Sequence, residues 1–252
     1  MDMVFDSGSG HTTLDEAVAA RLGLDLSMKA LSSGAKGKQE ISVIKGLTLH
    51  FSGQEIVEPL TVAYPLDFLT ERVGRKVDGI IGIEFLHRHV VELNYADLQV
   101  RIHEPATYEY KGSGEVLPLT FSKRMPIVIA SLTTYGGGPV AARLMVDCGG
   151  ARASAMLWKA FDDRHGLLAG AREVKQVSIT GFGGTTRQML GRIQQLRVGG
   201  ITIENPEVGL IDYVLGDPNT YDGTIGSGVL KQFKVIFDLP HSRLILERPA
   251  SR

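Results

Sequence analysis

Two short segments end an apolar run in the same way. Met3-Val4-Phe5 leads into Asp6-Ser7-Gly8, and Leu144-Met145-Val146 leads into Asp147-Cys148-Gly149, 141 positions later. Each places one carboxylate at the end of an expected strand, followed by a small polar residue and a glycine. Glycine lets the chain turn sharply and aim a backbone N–H at the carboxylate. A hydroxyl one residue after the aspartate can hydrogen-bond across to the opposite loop. Two such loops meeting at a two-fold axis set their carboxylates roughly 3 Å apart, where both cannot ionise comfortably and the pair shares a proton. The ionised member then takes a proton from a water while the protonated member polarises a carbonyl. That is general acid–base hydrolysis of an amide, with no metal and no covalent intermediate.

The elements that must position these aspartates repeat along the chain. Asp78-Gly79-Ile80-Ile81-Gly82 matches Asp222-Gly223-Thr224-Ile225-Gly226, and the match runs on to Pro105 and Pro249 with seven identities in 28 positions. Its offset of 144 is close to the 141 between the aspartates, so two landmarks agree on one repeat length. A short helix is predicted after each aspartate. The first starts at a Thr13/Glu16 capping box and ends at Gly23; the second covers 155–165 and closes at Gly166. Glycine-rich tips follow, at 32–37 and 180–184, then alternating strands, a helical turn after each Ile-Gly, and a closing hairpin. The predicted fold is all-β, in two similar lobes with one short helix each. The lobes are 1–105 and 115–252, joined by a polar linker at 106–114. The second lobe opens with a hairpin, 126–133 and 140–146 around Gly136-Gly137-Gly138. The first has five residues before its aspartate, so its opening hairpin is expected to be missing and its edge strand to need cover.

Composition narrows the partners. The chain has 252 residues, 43% hydrophobic and 22% charged, with a net charge of −1. That is an ordinary globular balance, and no basic cluster suits a phosphate backbone, so nucleic acid is not an expected partner. Cys148 is the only cysteine, which excludes an intrachain disulfide; this fits a reducing compartment without excluding the periplasm. No apolar run reaches the roughly 20 residues of a membrane helix. Nor does the N-terminus read as an export leader, so the compartment stays open, periplasmic or secreted if the true N-terminus is missing.

Other residues have plainer readings. Cys148 is read as a loop-supporting residue rather than a nucleophile, since no histidine lies near it in sequence. His87 and His89 form a His-x-His but are read as surface residues of a short helix, and no metal or cofactor is expected. Gly181-Phe182-Gly183-Gly184 lacks the Lys-Ser/Thr of a phosphate loop. Trp158 is read as core on the second helix, and Lys36 and Lys38 as solvated.

Taken together, paired Asp-x-Gly loops, glycine-rich tips and apolar-apolar-Gly segments resemble the aspartic protease superfamily over nearly the whole chain. The duplication of small lobes is most similar to bacterial retropepsin-like proteases. That resemblance implies that Asp6 and Asp147 form the catalytic dyad, supported by Ser7, Gly8, Cys148 and Gly149. It implies that Gly34 and Gly37, and Gly181, Phe182, Gly183 and Gly184, form flap tips over substrate. Ile81, Gly82, Ile225 and Gly226 would cross beneath the aspartates and brace them. The activity implied is endopeptidase cleavage of extended peptides by a monomer with an internal pseudo-two-fold axis, rather than an obligate dimer. Two features depart from the pattern: Cys148 stands where the family has Ser or Thr, and the first lobe lacks its hairpin. They leave open a catalytically weak or inactive peptide-binding protein of the same fold, or a fragment that needs its missing hairpin or a second chain.

Overall fold

The computed structural model describes residues 1–34, 37–51, 54–150, 152–211 and 219–249. Strands dominate, helices are short, and the described strands form three sheets. Contacts divide the chain into two units, Met1–Phe85 with Ser178–Thr186, and Leu86–Val177 with Arg187–Arg252. Among the described residues no helix is long and apolar enough to cross a membrane.

The first unit is built on a six-stranded sheet. Its order is Met3–Phe5, Gly79–Ile81, Thr12–Asp15, Gln54–Tyr64, Gly37–Phe51, Lys29–Gly34. Met3–Phe5 runs parallel to Gly79–Ile81, with Met3 opposite Gly79 and Phe5 opposite Ile81. On the other side of Gly79–Ile81 lies Thr12–Asp15, antiparallel to it and parallel to Gln54–Tyr64. Leu14, Ala19, Ile44 and Ala63 form one buried cluster beneath this sheet, and Leu66, Leu69, Val77 and Ile80 another.

The second unit repeats the pattern inside a ten-stranded sheet. Pro139–Val146 runs parallel to Gly223–Ile225, with Leu144 opposite Gly223 and Val146 opposite Ile225. Ala155–Trp158 lies antiparallel to Gly223–Ile225 and parallel to Glu207–Ile211. Glycine is demanded at one equivalent position in both copies. A Cβ on Gly79 would lie 2.5 Å from the Thr13 carbonyl oxygen, and one on Gly223 only 2.2 Å from that of Met156. The copies differ at their opening edge. Pro139–Val146 is also paired with Met125–Thr133, whereas Met3–Phe5 lies at the end of its sheet.

A five-stranded sheet in the second unit joins material from both repeats. Val90–Asn94, from the closing hairpin of the first copy, pairs with Lys234–Asp238 from that of the second. The unit of repetition and the unit of packing therefore differ, because the hairpin Val90–His103 packs with residues from the far end of the chain.

Two predicted helices are corrected by the ladders. Thr13 does not cap a helix. It sits in the strand Thr12–Asp15, 1% exposed, and the helix Glu16–Arg21 is capped by the Asp15 side chain, which accepts from the Val18 N–H. The segment predicted as helix from 155 divides into the strand Ala155–Trp158 and the helix Lys159–His165. In both places pairing with a strand distant in sequence overrides a helix-like local pattern. Trp158 is core as expected, at 1% exposure, but from the strand.

Candidate active site

In the first unit, Asp6 follows the last residue of its edge strand. Its N–H donates to the Ile81 carbonyl at 3.0 Å, which continues the parallel ladder by one rung. The chain then turns. The Gly8 N–H donates to Asp6 Oδ1 at 2.8 Å, and the Ser9 N–H to the Asp6 carbonyl at 3.2 Å. Ser7 is fully buried within this loop. The carboxylate is thus fixed by the turn that follows it, and two N–H groups are satisfied locally.

The second unit holds Asp147 by the same two backbone bonds. Its N–H donates to the Ile225 carbonyl at 3.0 Å, and the Gly150 N–H to the Asp147 carbonyl at 3.4 Å. Cys148 and Gly149 complete the turn, both half-buried, with Cys148 in no disulfide. Gly150 presses against the carboxylate, since a Cβ there would lie 2.5 Å from Asp147 Oδ2. The matching position in the first loop is Ser9, so this constraint belongs to the second copy alone.

Each Ile-Gly pair lies directly against its loop. Ile81 and Ile225 supply the carbonyls that receive the aspartate N–H groups. The Gly82 N–H donates to Thr12 Oγ1 at 3.4 Å, and a Cβ on Gly82 would meet the His11 carbonyl carbon at 2.4 Å. The Gly226 N–H donates to the Ser154 carbonyl at 3.0 Å.

The aspartates that open these segments are anchored alike. The Asp78 N–H donates to the Asp2 carbonyl at 2.8 Å, and Asp78 Oδ2 accepts the Asp2 N–H at 2.9 Å. Asp222 does the same with Arg143, its Oδ2 accepting the Arg143 N–H at 2.9 Å. The Asp2 N–H bond holds the Asp78 carboxyl below the usual carboxylate range. Burial pushes Asp222 the other way, but hydrogen bonds and charge from Arg143, with the charge of Arg164, outweigh it and keep its pKa low.

The expected flap tips lie on two hairpins. Gly34 faces Gly37 where Lys29–Gly34 pairs with Gly37–Phe51, and Ala35 and Lys36 lie outside the described residues. Phe182 and Gly183 turn between Arg172–Gly181 and Gly184–Arg192, with Gly183 at φ 87° and Gly184 at φ 129°. This second tip groups with the first unit, where the Phe182 ring meets Tyr64 at 4.4 Å between centroids, tilted 46°.

Tyr64 went unnoticed in the sequence, since it ends a strand far from any motif. Burial pushes its phenol up to about 12; a hydrogen bond with the Thr13 side chain opposes the shift, and the negative charge of Asp6 adds to it. It is therefore a neutral phenol at any ordinary pH. Gly150 was also missed, although a second glycine after Asp-Cys-Gly was visible. His87 lies in the last turn of the helix Ile83–Arg88 and His89 just beyond it, both half-buried. His87 Nε2 lies 2.7 Å from the Arg124 carbonyl, and burial followed by the charge of Arg88 lowers the His89 pKa. Among the described residues no three of His, Cys, Asp or Glu sit together as metal ligands would.

Comparison with known proteins fits this construction. The aspartyl protease family profile matches residues 1–85 and 132–229, which include both aspartate loops and both Ile-Gly segments. No curated protein matched the chain. Among solved structures, a retropepsin-like aspartic protease from Rickettsia conorii aligns at 17% identity with a TM-score of 0.37, over 54% of this chain and 100% of its own.

Proposed function

This chain belongs to the aspartyl protease family, and we propose that it is an aspartic endopeptidase whose dyad is Asp6 and Asp147. One observation carries the reading. Each aspartate occupies the same node of the same repeat, its N–H bonded to an isoleucine carbonyl at 3.0 Å. In the proposed mechanism the two carboxylates face each other and share one proton. The ionised member draws a proton from water as the oxygen attacks the peptide carbonyl, and the other donates to the carbonyl oxygen. Proton return to the leaving nitrogen completes amide cleavage. The Gly8 N–H, which donates to Asp6 Oδ1 at 2.8 Å, orients that carboxylate. An extended peptide would lie as an added strand beneath the hairpin tips at Gly34, Gly37 and Gly181 to Gly184. We propose the lobes at 1–105 and 115–252, acting as a monomer.

A second reading rests on Cys148. Ser7 is fully buried in its loop, whereas the matching residue is a half-buried thiol, a weak donor and acceptor. A looser second loop would leave a peptide-binding protein with little or no hydrolysis. A peptide library incubated from acid to neutral pH separates the two. Cleavage blocked by a statine-type inhibitor supports the endopeptidase; peptide binding with no cut at any pH supports the binding protein.

A further inference from the structure

The five-stranded sheet of the second unit carries a two-fold symmetry of its own, readable from its register. At the repeat offset of 144, Val91 matches Val235 and Leu93 matches Phe237. In the central ladder Val91 pairs with Phe237 and Leu93 with Val235, so each copy makes to the other the contact that it receives. The hairpins agree as well: Val90 faces His103, and Lys234 faces Glu247, the same pair 144 positions on. Gln99–His103 is therefore the counterpart of Arg243–Glu247.

The counterparts differ on their outer side. Arg243–Glu247 is paired along its outer edge with Glu115–Pro118, Leu244 opposite Leu117 and Ile245 opposite Val116. Among the described strands, Gln99–His103 ends the sheet. Burial follows this difference. Leu244 is 1% exposed, whereas its counterpart Val100 is 38% exposed. Val100 stands at the end of a row that continues through buried Leu93, Val235 and Leu246. An exposed apolar residue on an edge strand marks a surface that another strand can extend.

We propose that the outer edge of Gln99–Ile102 is a docking site for an extended segment of another polypeptide, which adds antiparallel as a further strand. Glu115–Pro118 is the template for the occupant, since it fills the matching edge. The residue matching Leu117 then stands opposite Val100 and is apolar, and the residue matching Val116 stands opposite Arg101. The Arg101 side chain is 61% exposed, 3.8 Å from Glu92 and 3.0 Å from Gln99 Oε1, so a further carboxylate can reach its guanidinium. The occupant therefore carries an acidic residue opposite Arg101. A second copy of the same edge fits worse. Full antiparallel overlap of two Gln99–His103 strands sets Arg101 against Arg101, and like charges directly opposite repel.

The test uses the full chain and a labelled synthetic peptide with the sequence of residues 112–121, which holds the template strand. Peptides carrying Val116→Glu or Val116→Lys place either charge opposite Arg101. Fluorescence polarisation gives the affinity and hydrogen exchange locates the contact, both with a statine-type inhibitor present to stop cleavage. The acidic peptide binds on the order of 2- to 10-fold more tightly than the basic one, the worth of a charge pair between strands. It also slows exchange of the Gln99–Ile102 amides. Leu117→Asp in the peptide, or Val100→Lys in the chain, removes binding. Arg101→Glu in the chain reverses the charge preference, which decides the matter even if Val100→Lys fails to fold. No saturable binding, equal affinity of the two peptides, or a preference that Arg101→Glu leaves unchanged overturns the proposal. So does protection confined to Arg243–Glu247, where the peptide would have displaced Glu115–Pro118. Dimerisation that protects Gln99–Ile102 with no peptide present gives the edge to a second copy and also overturns it. None of these measurements depends on hydrolysis, so the edge stands or falls separately from the dyad.

Discussion

The N–H of Asp147 donates to the carbonyl of Ile225 at 3.0 Å, the same bond, at the same length, that Asp6 makes to Ile81. The bond extends a parallel ladder in each copy and fixes the point at which the strand gives way to the loop. A carboxylate placed there inherits the rigidity of the sheet, which is how a site is held to the tolerance that catalysis needs.

The two loops are not equally tolerant. Gly150→Ala would put a methyl group 2.5 Å from Asp147 Oδ2. The expected result is a fall in kcat on the order of 100-fold from a displaced carboxylate, with a smaller loss of stability. Ser9→Ala, at the matching position in the first loop, should leave the rate within a few-fold, since that loop already holds a side chain. Equal effects of the two substitutions would contradict the assigned contact.

Cys148 stands in the second loop where Ser7 stands in the first. Cys148→Ser restores a hydroxyl, and one added hydrogen bond of about 1 kcal/mol should raise Tm by about 2–4 °C. A rise in kcat/KM should accompany it. No change in either quantity means that the thiol is no defect.

Gly82→Ala tests the bracing of the first loop. Its methyl group would press on the His11 backbone at 2.4 Å, which cannot yield as a side-chain end would. Overpacking of this kind costs about 1–3 kcal/mol, measurable by denaturant unfolding. An unchanged midpoint would show that the loop can move aside.

Asp222 makes stability depend on pH with a definite sign. Its carboxyl is held below its ordinary range when folded, so it contributes stability above the unfolded pKa of about 4 and loses it as pH falls through the folded value. Asp222→Asn should cost about 1–3 kcal/mol at neutral pH, because Arg143 and Arg164 lose a charged acceptor. The gap from the unaltered chain should narrow as the pH falls below about 4. A gap that stays constant down to acid pH would contradict the ionised pairing.

What could be read in the sequence was whatever repeats. Asp-x-Gly after an apolar strand and Asp-Gly-x-Ile-Gly both occur twice in one order, and the structure pairs the two motifs in each unit. The helix starts were misread for a physical reason. Thr13 and Glu16 have the spacing of a capping box, but Thr12–Asp15 is held as a strand by Thr61–Tyr64, far along the chain. Tyr64 was invisible for a related reason. Its ring contact is with Phe182, far from it in sequence.

The central claim is that Asp6 and Asp147 act as one catalytic pair. Asp6→Asn and Asp147→Asn, each purified and shown to be folded by its thermal transition, should be assayed against a peptide library that the unaltered chain cleaves. The pair predicts that either substitution alone abolishes hydrolysis. Cleavage that survives either one would contradict it.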